Sequence, residues 1–176
     1  MSGTEQRLPP GAEEWGFPRC RACDYAWGKP LEEVEHIVAS APSAYAALLA
    51  GRTDAKIKPD EKTWSPSGYV WHVSDWLRIQ GGRVHGIRHD PDYTSWPVDP
   101  DDIDGLFHYD ELSTIAGLWI LERSAETFLA AIAGLDPELT FEHPVAGELV
   151  VMDLVRYVCH EVPHHEMDMR RGLGLP

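Results

Sequence analysis

Apolar residues recur at helical spacing along most of the chain, and that period points to an all-α fold. In a first segment, about residues 31–50, Leu31, Val34, Ile37/Val38, Ala41, Tyr45 and Leu48/Leu49 share one face, and Gly51 is placed to stop the helix. Pro42 lies inside it and is expected to bend or split it, because proline lacks a backbone donor and clashes with the carbonyl one turn back. The second segment has the clearest start: in "WSPSGYVWHVSDWLRIQGGRVHGI", Ser65 can cap the helix and Pro66 can take its first position. Val73, Trp76, Leu77 and Val84 form its expected buried stripe, and Gly81-Gly82 weakens its middle by about 1 kcal/mol per glycine relative to alanine. A third helix is expected over roughly 110–134 on Leu112, Ile115, Leu118/Trp119, Phe128/Leu129 and Ile132, with Glu122 out of pattern and Gly134 at its end. A fourth covers about 152–171.

The intervening segments read differently. Residues 88–107, "RHDPDYTSWPVDPDDIDGLF", carry three prolines and six aspartates and are expected to be a long connection rather than an element. A connection of about 20 residues in a compact domain is usually functional or a crossover. "LTFEHPVAGELVVMD" alternates around Gly147 and suits a small β-hairpin. Residues 1–30 form an irregular, Pro-, Gly-, Trp- and Cys-rich arm, expected to pack on the body through Trp15, Phe17 and Trp27. Residues 31–176 then form one domain, a four-helix bundle with a crossover between its second and third helices.

The whole-chain numbers exclude several functions. The formal net charge is −14, which opposes binding to nucleic-acid phosphates. No run of about 18 apolar residues is present, so no membrane span is expected. The first residues lack a basic region followed by an apolar run, so a cytoplasmic location is expected, with a small molecule as substrate.

Three cysteines are too few for a disulfide scaffold. Cys20 and Cys23 form one C-x-x-C, "CRAC", but a zinc clip needs two further ligands, and Cys159 is the only other thiol. Two reduced thiols in an N-terminal loop are the expectation. Histidine offers more. In "HEVPHHEMDMRRG", residues 160–172, His160 and His164 are four apart, hence on one helix face about 6 Å apart along the axis. Two imidazoles so placed can share a metal ion. His165 is rotated about 100° away. His72, among Val70, Trp71, Val73 and Trp76, is the best third ligand, and three histidines leave positions for water or substrate. Asp75, Glu161 and Asp168 are candidate orienting or catalytic carboxylates, with Asp168 preferred as the partner of a ligand ring. Pro163 sits between the two proposed ligands, where a kink would shape a site. His36, His85, His89, His108 and His143 are expected on exposed faces or in loops.

The stretches "WSPSGYVWHVSDWLR", "HPVAGELVVMDLVRYV" and "HEVPHHEMDMRRG" resemble the DinB/YfiT-like superfamily of metal-dependent proteins, in an actinobacterial branch that carries an N-terminal C-x-x-C. The resemblance covers about residues 31–172. It implies an up-down-down-up bundle and a divalent metal, Zn, Ni or Fe, on His72, His160 and His164. It also implies chemistry in which the ion activates a low-molecular-weight thiol such as mycothiol, in an S-transferase or thiol-dependent isomerase. Arg78, Arg83, Arg170 and Arg171 could then bind the thiol's carboxylates, and solvated helix ends account for them equally well. A metal-dependent hydrolase and a non-catalytic, stress-related metal- or ligand-binding bundle would use the same residues. Relatives are often dimers, so a homodimer is expected.

Overall fold

The computed structural model describes residues 16–90, 92–94, 98–143 and 147–176. Trp15 lies outside them. The elements run α1 (Leu31–Leu49), α2 (Pro66–His89), α3 (Pro100–Phe107), a 3-10 turn (Tyr109–Glu111), α4 (Thr114–Ile132), β1 (Thr140–His143), β2 (Gly147–Val150) and α5 (Val151–Gly172). The fold is a four-helix bundle of α1, α2, α4 and α5 with one small hairpin.

Local chemistry sets the helix starts. The Ser65 side chain accepts from the Gly68 N–H with Pro66 at the first position, and Ser113 accepts from Ala116 to open α4. Gly51 and Gly134, at φ 69° and 63°, occupy the left-handed conformation that ends α1 and α4 at low cost. Helix α1 is continuous through Pro42, and α5 through Pro163. Pro42 therefore does not split its helix as the sequence suggested; packing of Val38, Ala41 and Tyr45 on the core holds the chain helical across it.

The packing order is not that of the sequence. Helix α1 packs on α4 and α5, and α2 packs on the same two. Sequence neighbours α1 and α2 therefore face each other across the bundle, as do α4 and α5. The closest approach is between α2 and α4, where a Cβ on Gly81 would lie 3.2 Å from the Phe128 Cα. The glycine that weakens α2 locally is what lets α4 come near. The core gathers Val34, Val38, Tyr45, Val73, Leu77, Val84, Leu121, Phe128, Ile132, Val155, Val158 and Met169, each fully or almost fully buried.

Two expectations need correction. The connection between α2 and α4 carries a helix, α3, started by an Asp99 cap and Pro100, and the 3-10 turn after it. The cap-then-proline signal in "VDPDD" was present but was masked by the surrounding aspartates. Ile115 and Trp119 are 82% and 59% exposed, while Phe128 and Ile132 are buried as expected; the first half of α4 instead buries Gly117 and Leu121. A Cβ on Gly117 would lie 2.8 Å from Trp71 Nε1, so the small residue faces α2 there and the large ones turn outward. Strands β1 and β2 pair antiparallel with Phe141 opposite Leu149, as a hairpin lying just before α5. No helix among the described residues is long and apolar enough to cross a membrane.

Candidate metal centres on the last helix

Helix α5 presents His160, Glu161, His164 and His165 within two turns. Residues four apart share a face, and neighbours in sequence are about 100° apart. Two adjacent faces therefore form, one with His160 and His164, the other with Glu161 and His165. The structure sends these faces to different partners.

The Glu161–His165 face meets His72 of α2. His72 Nε2 lies 3.3 Å from Glu161 Oε2, and His165 Nε2 lies 3.0 Å from the same oxygen. Ligand atoms about 2.1 Å from one ion are about 3.0–3.4 Å apart in octahedral or tetrahedral arrangement, so this trio already has the spacing of a coordination edge. His72 packs against Trp64, with ring centroids 4.5 Å apart, and edge-on to His165 at 4.7 Å. Burial would lower the basicity of His165, but hydrogen bonds to Asp168 and Glu161 outweigh it and raise its pKa to about 9. Burial also opposes ionisation of Glu161, yet contacts from His160, His165 and His72 hold its pKa well below the usual carboxylate value. His72 is lowered, because burial exceeds the pull of Glu161. Without a metal, the Glu161 carboxylate is compensated by the imidazoles around it, His160, His165 and His72; a divalent cation fits the same place.

The His160–His164 face meets the N-terminal arm. Cys20, Cys23, His160 and His164 offer one ligand atom each within 4.8 Å of one another, and Cys20 Sγ lies 3.8 Å from His164 Nδ1. The expected trio of His72, His160 and His164 is therefore not gathered into one group among the described residues: His72 goes with Glu161 and His165, and the pair from α5 goes with the cysteines. Sequence spacing showed that His160 and His164 share a face but not which way that face points.

Asp168 stands behind both groups. Its Oδ2 is 3.0 Å from His165 Nδ1 and 3.8 Å from His164 Nε2, the ring nitrogens turned away from Glu161 and from Cys20. His164, His165 and Asp168 also form a third group within 4.8 Å. Asp168 is placed to fix the orientation of the ligand rings, the usual task of a carboxylate behind a metal-bound imidazole. Asp75 is engaged elsewhere, accepting from Arg78 at 2.8 Å and from the Tyr109 hydroxyl at 2.9 Å, which ties the 3-10 turn to α2. Glu161, expected as an orienting or catalytic carboxylate and not as a ligand, lies at the centre of the His72 group; the i, i+4 pairing of Glu161 with His165 was the signal that could have shown it.

A polar cavity of about 380 Å³ borders His164, His165 and Asp168, with Trp64, Tyr69, Lys58, Lys62 and Asp104 among its walls. The four arginines proposed for a thiol's carboxylates are not in that lining. Arg78 pairs with Asp75, Arg83 contacts Gln80, Arg170 pairs with Glu166, and Arg171 reaches Asp168 at 3.8 Å.

Fold and site together define a YfiT-like four-helix bundle with histidine-rich candidate metal groups on its last helix. The chain superposes on YfiT from Bacillus subtilis, described as a probable metal-dependent hydrolase with an unusual four-helix bundle topology, at a TM-score of 0.69 and 15% identity, over 82% of this chain and 88% of that one. At that identity the likeness speaks for the fold. No family model matches the sequence, and no curated protein matches it significantly.

Proposed function

We propose that this protein is a metal-dependent enzyme whose reactive ion is held by His72, Glu161 and His165. The carrying observation is the approach of His72 Nε2 and His165 Nε2 to one oxygen of Glu161, at 3.3 and 3.0 Å, beside a polar cavity that His165 lines. Three ligands are fewer than such an ion accepts, so positions remain for a small nucleophile or substrate. A divalent ion there lowers the pKa of a bound thiol or water and supplies a nucleophile at neutral pH. The chain's own residues do the rest. Asp168 holds the His165 ring through Nδ1, which reserves Nε2 for coordination. The Trp64 ring packs against His72 and the Tyr69 ring stacks on His165, so both imidazoles are held in place by rings that line the cavity.

Two nucleophiles suit this arrangement. The sequence resemblance supports a low-molecular-weight thiol such as mycothiol, in S-transfer. The two-histidine, one-carboxylate ligand set is that of hydrolytic zinc sites, and YfiT's description supports water. The test is product analysis of metal-loaded protein on a panel of electrophiles and of esters and amides, with and without added thiol. Thiol consumption with a matching conjugate identifies the transferase, and thiol-independent cleavage identifies the hydrolase. In either case His72→Ala should abolish turnover; full turnover in that variant would remove the His72 group as the reactive centre.

A further inference from the structure

The two cysteines of the arm are arranged before any partner is considered. Cys20 N–H donates to the Tyr25 carbonyl and Asp24 N–H donates to the Cys20 carbonyl, each at 2.9 Å, while Arg19 and Ala26 form an antiparallel bridge. Asp24, directly after the second cysteine, has φ 60°, the left-handed conformation that folds the chain back sharply. The result is a tight knuckle with both sulfurs on one side. Backbone N–H groups of Cys23 and Ala22 and the ring of His160 offset the effect of burial and lower the Cys20 thiol pKa. The knuckle sits on α5 through aromatic contacts: the Trp27 ring lies 4.6 Å and the Tyr25 ring 5.5 Å from the His160 ring, and the Tyr25 hydroxyl donates to the Arg156 carbonyl at 3.0 Å.

We propose that Cys20, Cys23, His160 and His164 bind one zinc ion in a closed tetrahedral site that clasps the N-terminal arm to α5. All four ligand atoms lie within 4.8 Å of one another, and Cys20 Sγ is 3.8 Å from His164 Nδ1. A tetrahedral zinc with bonds of about 2.3 Å to sulfur and 2.0–2.1 Å to nitrogen sets such atoms about 3.5 Å apart. Two sulfurs and two imidazole nitrogens in this geometry select zinc among common divalent ions. Burial agrees: Cys20, His160 and His164 are 2%, 0% and 6% exposed. The cysteines bind as thiolates and give their protons to solvent, and two thiolates cancel the charge of the ion, so the filled site is neutral where a net charge would be costly. All four tetrahedral positions are taken by protein, which marks a structural site. Supporting groups are present as well, with Glu161 Oε1 3.5 Å from His160 Nδ1 and Asp168 Oδ2 3.8 Å from His164 Nε2. This site does not depend on the function proposed for the His72 group. It shares that group's helix and would hold His160 and His164 still on one face while Glu161 and His165, on the adjacent face, meet His72 of α2.

The test is cobalt(II) reconstitution of the full-length, reduced protein, followed by absorption spectroscopy. The expected result is a near-ultraviolet thiolate-to-cobalt charge-transfer band with the intense visible bands of a tetrahedral ion. The charge-transfer band should vanish in Cys20→Ser/Cys23→Ser, and both features should persist in His72→Ala. If the double variant fails to fold, zinc X-ray absorption on His72→Ala protein decides, with two sulfurs and two nitrogens around the ion expected. A wild-type cobalt spectrum without charge transfer, a charge-transfer band that survives loss of both cysteines, or a zinc shell of nitrogen and oxygen alone in His72→Ala would overturn the proposal.

Discussion

Two clusters of ligand atoms share helix α5, and they are built on opposite plans. The Cys20–Cys23–His160–His164 group takes two ligands from the arm and two from α5, supplies four donors, and lies among Tyr25, Trp27 and the helix. The His72–Glu161–His165 group takes one ligand from α2 and two from α5 and supplies three; the polar cavity borders its His165 and also His164 of the first group. With a divalent ion, the first is neutral and full; the second keeps a net positive charge and open positions. The contrast teaches that histidine number says little about role. What separates a clasp from a reactive centre is the fourth ligand and the charge left over.

The largest effect should come from the clasp. Metal that binds only the folded state stabilises by about 4 kcal/mol when free metal exceeds its dissociation constant about 1,000-fold. For a chain of this size that corresponds to roughly 8–16 °C in Tm. Cys20→Ser/Cys23→Ser should lower Tm by about that amount in thermal unfolding followed by circular dichroism, and chelation of the wild type, which strips both ions, by at least as much. A loss below about 2 °C would mean that the arm docks without metal.

The reactive group should behave the other way. His72→Ala should remove metal-dependent turnover, whereas Cys20→Ser/Cys23→Ser should keep turnover while losing its own ion. Loss of turnover in both variants would erase the distinction between the clusters. His164→Ala and His165→Ala sharpen it further, since each should cost one ion, from the clasp and from the reactive group respectively, as read by metal analysis.

Asp168→Asn should be milder. It leaves every proposed ligand in place but weakens the hold on His165 Nδ1, so metal affinity of the reactive group should fall roughly 10- to 100-fold in a competition titration, with folding intact. Unchanged affinity would reduce Asp168 to a partner of Arg171. The smallest effect belongs to that pair: Arg171 is largely exposed, its contact with Asp168 is 3.8 Å long, and Arg171→Ala should change stability by less than about 1 kcal/mol and leave metal affinity unchanged.

The sequence made some of this legible and hid the rest for physical reasons. The Ser65 cap with Pro66, the stripe of Val73, Trp76, Leu77 and Val84, and the hairpin around Gly147 are local features, and local chemistry decides them. The phase of α4 was readable at Phe128 and Ile132 but not at its start, where Gly117 lies close to the Trp71 ring and Ile115 and Trp119 turn outward. Phe17, expected to anchor the arm, is 53% exposed, whereas Trp27 is buried as expected. Cys20 and Cys23 lacked two ligands on spacing alone. The structure supplies them from a segment 144 residues beyond Cys20, where the same histidines looked committed to His72. Local spacing fixes which residues share a face; only the packing of the arm decides which of two adjacent faces receives the thiols.

The most direct test of the account is a metal count by native mass spectrometry of zinc-loaded protein. Two ions per chain are expected in the wild type, with one remaining in Cys20→Ser/Cys23→Ser and one in His72→Ala. A single ion in the wild type, lost in both variants, would contradict two separate centres on α5 and restore a single shared site.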